Sequence, residues 1–116
     1  MNYEYTGNCT LEEKVNIVSK EIMEAYPEIT LKDARYIAML DNKVTKEADG
    51  HIKFRRLYNI LLITFSNTII FNKVLKDMIS AYNSIKDKTI SETNLFEDII
   101  LFYKGELETF PIISNY

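Results

Sequence analysis

Residues 45–56 and 83–94 follow one template at an offset of 38 positions. The first runs Thr45-Lys-Glu-Ala-Asp49-Gly50-His51-Ile52-Lys-Phe54-Arg-Arg56 and continues into Leu57, Ile60 and Leu61. The second runs Asn83-Ser-Ile-Lys-Asp87-Lys88-Thr89-Ile90-Ser-Glu92-Thr-Asn94 and continues into Leu95 and Ile99. In each, a twelve-residue stretch with Ile at its eighth place stands between segments whose apolar residues recur at helical spacing. With only three Gly and two Pro in 116 residues, few breakers interrupt such segments, which favours long helices over a turn-rich β-fold.

The helical segments can be placed from their own signals. Thr10 to Glu13 reads as a capping box, and Leu11, Val15, Val18, Ile22 and Tyr26 follow as a stripe until Pro27 ends it. Thr30 to Asp33 starts a second helix, with the Asp33 carboxylate in the first turn where the dipole favours it. Residues 52–65 read as a third helix, Asn67 as the cap of a fourth, and residues 92–104 as a last helix stopped by Gly105. A competing reading makes residues 60–71 a β-hairpin about Ser66-Asn67, since β-branched and aromatic residues are dense there. The apolar residues run continuously instead of alternating, which argues against it.

This organisation is one domain over residues 10–104, with a loose arm at 1–9 and a tail at 105–116 that holds Phe110, Ile112, Ile113 and Tyr116. A net charge of -3 gives no global attraction to phosphate backbones. The longest uncharged run, Leu57 to Asn72, falls short of the roughly 20 residues that span a bilayer. One Cys, Cys9, cannot form an internal disulfide, and no secretory leader is visible, so a cytoplasmic setting is expected.

The repeated template resembles a pair of EF-hands that have lost their calcium ligands. Asp49-Gly50 and Ile52 fill places five, six and eight of the first loop, and Phe54 sits where that family often has an aromatic residue. Leu57, Ile60 and Leu61 match its exiting helix. Asp87 and Ile90 fill places five and eight of the second loop, with Lys88 replacing the Gly. Leu75, Met78, Ile79 and Tyr82 match its entering helix. An alternative register begins the first loop at Asp41, after Tyr36, Ile37 and Leu40, and makes it four residues longer. Calcium loops need oxygen ligands at one, three and five and a bidentate Glu at twelve. Here place one is Thr45 or Asn83 and place twelve is Arg56 or Asn94, so no calcium binding is expected.

The resemblance implies an all-α lobe of two degenerate hands, over about residues 33–104, with an extra N-terminal helix. Ile52 and Ile90 would pair across the loops. Such a lobe is calmodulin-like or myosin-light-chain-like: it grips an amphipathic target helix of a protein partner in an apolar groove, here without calcium. The groove residues would be Ile37, Leu40, Leu57, Leu61, Phe65, Phe71, Leu75, Met78, Ile79, Ile99 and Phe102. Eight acidic against four basic residues over 1–42 would complement a basic target.

Other constellations point elsewhere. Glu47, Asp49 and His51 alternate as a metal cluster would, but alternating acids in a polar loop are ordinarily solvated, and no metal or other cofactor is expected. No Ser-His-Asp set, Gly-rich phosphate loop or CxxC is present, and Cys9 has no basic neighbour to activate it, so an enzyme is not expected. Thr30 to Val44, followed by Lys46, Lys53, Arg55 and Arg56, could open a DNA-binding helix-turn-helix, although Glu47 falls where an apolar residue should pack. The other rival is a small helical bundle acting as an inhibitor or immunity-type protein of a phage, virus or mobile element, binding a protein surface.

Overall fold

The structure is a computed structural model and describes residues 10–41 and 49–116. It contains α1 (Leu11–Ala25), α2 (Leu31–Leu40), α3 (Gly50–Thr64), α4 (Thr68–Ser84) and α5 (Ile90–Tyr103), followed by a 3-10 turn at Ile113–Asn115. No strand occurs among the described residues. Every α-helix starts on a side-chain cap: Thr10, Thr30, Asp49, Asn67 and Thr89 each accept from the backbone N–H three residues on. Each such cap satisfies a donor the first turn leaves unpaired and is worth about 1 kcal/mol. Thr89 and Glu92 complete a reciprocal capping box. At the far end of α5, the Gly105 N–H donates to Phe102 and the Glu106 N–H to Leu101. Gly105 takes φ 79°, so this is a Schellman stop of the kind its sequence position predicts.

The two twelve-residue stretches are not open loops. Of the second, residues 83–84 end α4 and 90–94 begin α5, leaving only 85–89 as a link. Of the first, residues 50–56 are already helical, and 45–48 lie outside the described residues, as do the arm at 1–9, Glu47 and Cys9. The cause is capping: Asp49 and Thr89 nucleate helices before the eighth place is reached. Ile52 and Ile90 therefore stand in the first turns of α3 and α5, and no extended bridge joins them. The proposed hairpin over residues 60–71 is also absent. Those residues belong to α3 and α4, broken only at Phe65–Asn67 where Asn67 caps the next helix. Of the stretch that the helix-turn-helix reading uses, residues 42–48 lie outside the described residues.

α1 packs on α2 and α3 on α4. The second pair is antiparallel, since Gly50 at the start of α3 meets Ala81, Ser84 and Ile85 at the end of α4. Val18, Ala34, Ile37, Tyr58, Leu61, Val74, Met78 and Ile99 are fully enclosed between the elements. Arg56 joins three helices: its Nε donates to Asp41 at 2.6 Å and its Nη1 to Glu21 at 3.2 Å. The Tyr26 hydroxyl donates to Asp77 at 2.5 Å and Lys73 pairs with Glu28, fastening the α1–α2 connection to α4. Burial and the Asp77 carboxylate together raise the Tyr26 pKa, which keeps that hydroxyl a donor.

α5 and the tail attach through rings. Phe96 stacks on Tyr82 at 4.0 Å and meets Phe54 at 6.3 Å. Phe102 meets Phe65 at 5.7 Å and Phe71 at 5.9 Å. The tail returns to the domain, and Phe110 and Pro111 are buried on it.

Gly50 is required by this packing. A Cβ there would stand 2.7 Å from Ile85 Cγ1 and 2.9 Å from Ser84 Oγ. Gly50→Ala should destabilise by about 1–3 kcal/mol through overpacking, despite the better helix propensity of Ala. Ile85→Ala, which removes the clashing Cγ1, should cost less in the Gly50→Ala background than in wild type. Urea unfolding of the two single variants and the double variant measures both; equal stability of Gly50→Ala and wild type would refute the close approach.

Candidate functional site

The structure divides the expected groove residues into four sets. Ile37, Leu61, Phe71, Met78 and Ile99 are buried core. Leu40 is exposed on α2, while Leu57 is half-buried in a cleft of about 380 Å³ with Lys53, Arg56, Asp77, Ser80, Ala81 and Ser84. Phe65 and Phe102 meet edge to face and receive the tail. Leu75 and Ile79 line an open groove along α4.

That groove, of about 310 Å³, runs along the outer side of α4 and is lined by Asn72, Leu75, Lys76, Ile79 and Tyr103. Ile69, Asn72, Lys76 and Ile79 recur at three- and four-residue steps, so they share one face of α4. Tyr103 arrives from α5, where its ring lies parallel to Phe71 at 5.8 Å. Leu75 is the buried floor, and Ile69, Ile79 and Tyr103 are exposed at 64, 37 and 53%. Ile69 and Lys76 could have been read from the period of α4. Tyr103 could not, because only the packing of α5 brings it there.

A second polar cavity, of about 370 Å³, lies between the starts of α3 and α5 and is lined by His51, Phe54, Arg55, Thr89, Ser91, Glu92, Leu95, Ile113 and Tyr116. His51 bridges the two elements, with Nδ1 2.6 Å from Glu92 Oε2 and Nε2 3.1 Å from Asp87 Oδ1. The two template stretches thus do meet, through an ion pair instead of their isoleucines. Both ring nitrogens are engaged, and among the described residues no group of three His, Cys, Asp or Glu could hold a metal ion. Asp49 spends its carboxylate on the α3 cap.

The hydrogen bonds to Glu92 and then Asp87 raise the His51 pKa above its ordinary value. His51 in turn holds Asp87 below the usual carboxylate range. Burial pushes Glu92 up, but the Thr89 amide and His51 outweigh it, and its pKa is lowered.

Comparison with protein families, curated proteins and solved structures finds no match to this chain.

The His51 junction gives a pH dependence of defined sign. A raised imidazole pKa contributes stability fully below the unfolded value of about 6.5 and loses it as pH rises through the folded value. The lowered carboxylates contribute above their unfolded values of about 4 and lose this as pH falls. The melting-temperature gap between wild type and His51→Gln should therefore be larger at pH 6 than at pH 9. A constant gap across that range, followed by far-UV circular dichroism, would show that the junction does not titrate.

Proposed function

We propose that this chain is a protein-binding module that holds an amphipathic helix of a partner, light-chain-like in its calcium independence. The observation that carries the reading is the groove in which exposed Ile79 and Tyr103 flank the buried Leu75, with exposed Ile69 further along the same face of α4. Exposed side chains of that size at helical spacing suit an apolar helix face laid along α4. Among the residues that line the groove the charged one is Lys76, which favours a target unlike the basic one expected from residues 1–42. A target helix with carboxylates flanking its apolar face complements this surface.

A second reading, an inhibitor-like module that binds a flat protein surface, is supported by α2. Leu31, Tyr36, Met39 and Leu40 are all about half exposed or more there.

Titration with an acidic, isoleucine-rich amphipathic peptide separates the two. Ile79→Asp should weaken binding by at least about tenfold, because it places a charge in the groove's apolar centre. Met39→Asp should leave that affinity unchanged, and neither surface variant should alter the melting temperature by more than a degree or two. Millimolar calcium should change neither binding nor melting. Loss of binding in Met39→Asp alone would move the interface to α2 and favour the inhibitor-like reading.

A further inference from the structure

The tail is held as a bound peptide is held. From Gly105 to Ile112 it forms no regular element, and Glu106, Glu108 and Thr109 face solvent. Its attachment begins at Phe110. That ring is stacked on Phe65 at 5.2 Å, lies near-parallel to Tyr58 at 5.9 Å and receives the edge of Phe102 at 5.3 Å. Beyond it, the buried Tyr58 hydroxyl makes two main-chain contacts. It donates to the Pro111 carbonyl at 2.8 Å and accepts from the Ile113 N–H at 2.8 Å. Further on, Ser91 donates to the Tyr116 carbonyl at 2.8 Å, and the Tyr116 hydroxyl donates to Asp98.

Three properties of this contact are those of a recognition site. An aromatic slot reads one side chain. A single buried phenol reads backbone groups, which every peptide carries. The receiving wall comes from α3 and α5, each of which starts on its own side-chain cap. A proline after the anchor suits the extended path, because its ring fixes φ and it has no N–H to satisfy.

We propose that Tyr58, Phe65 and Phe102 form a peptide site, occupied in the isolated chain by its own tail, that takes an extended segment bearing an aromatic residue followed by proline from a protein partner. The tail is then a competitor in cis. The partner's apparent affinity is its intrinsic affinity multiplied by the fraction of molecules in which the tail is released. This site is separate from the groove along α4 and does not depend on that reading.

The test uses the full chain carrying Phe110→Ala and a fluorescent peptide of residues 106–116. The variant should keep its helical circular dichroism and bind the peptide at least about tenfold more tightly than wild type does, since its own tail no longer competes. The same peptide with Ala in place of Phe110 should not bind. Equal binding of both peptides, or of neither, would overturn the proposal. So would loss of helical signal in the variant, because the ring would then be core and not a ligand. Hydrogen exchange in wild type gives an independent reading. The Ile113 amide should exchange at least tenfold faster than the amides around Tyr58 in α3, and equal rates would mean that the tail leaves only on global unfolding.

Discussion

At Gly50 the start of α3 is pressed against the end of α4, and much of the rest follows from that contact. Because nothing larger than hydrogen fits between the start of α3 and Ile85, the two helices of the long hairpin meet tightly at their open end. That contact sets where the short link 85–89 leaves α4, and so where Thr89 caps α5. His51, one residue after Gly50, then stands between Asp87 and Glu92, and Phe54, one turn further, reaches Phe96 and Tyr82. A polar tie at the surface and a ring cluster beneath it fasten α5 to the hairpin. The Arg56 pairs with Asp41 and Glu21 fasten the α1–α2 pair to the same helix. With Asp41 only 10% exposed and Arg56 18%, each would be costly to leave without the other, so the pairing acts on orientation more than on net stability.

The other end of the hairpin is closed by aromatic residues. Phe65, at the break between α3 and α4, is left with one face open, and Phe110 covers it. The tail thereby completes a layer the helices cannot finish, since α5 ends at Tyr103 and turns away at Gly105. Tyr58 makes this closure polar as well as apolar. Burial raises its pKa, so the phenol stays a neutral donor to Pro111 while accepting from Ile113. A buried hydroxyl with both a donor and an acceptor partner carries no desolvation penalty left unmatched.

Helix positions were largely legible because caps are local. Thr10, Thr30 and Asn67 announce their helices from within four residues of sequence, and Gly105 announces the last stop. Thr89 was legible in principle, since Thr-x-x-Glu is the same signature as at Thr10. Matching residues 83–94 to a single loop hides that signature. What the sequence could not show is which stripe faces inward. Leu75 and Ile79 stand one turn apart, yet one is a buried floor and the other a rim, a difference fixed by where α5 lays Tyr103. Eleven apolar residues look alike as groove candidates, and tertiary packing buries six of them, Leu75 included.

The EF-hand-like run is informative because each of its residues has a different task in this fold. Asp49 does not offer a carboxylate to a cation; it accepts from the Ile52 N–H. Gly50 takes no left-handed turn and instead admits Ile85. His51, at a place where a loop would face solvent, pairs across to α5. Arg56, where a calcium ligand would point, pairs with Asp41 and Glu21. Acidic cap, small residue, apolar residue and aromatic residue are what a calcium loop shares with any capped helix that starts hard against a neighbour. The deciding difference is the last place of the loop. A bidentate Glu there has a use only with a metal, whereas Arg56 on that turn of α3 serves the packing of three helices. The residue at the twelfth place therefore speaks for a packed helix in place of a metal ligand, and Arg56 stands in the second turn of α3.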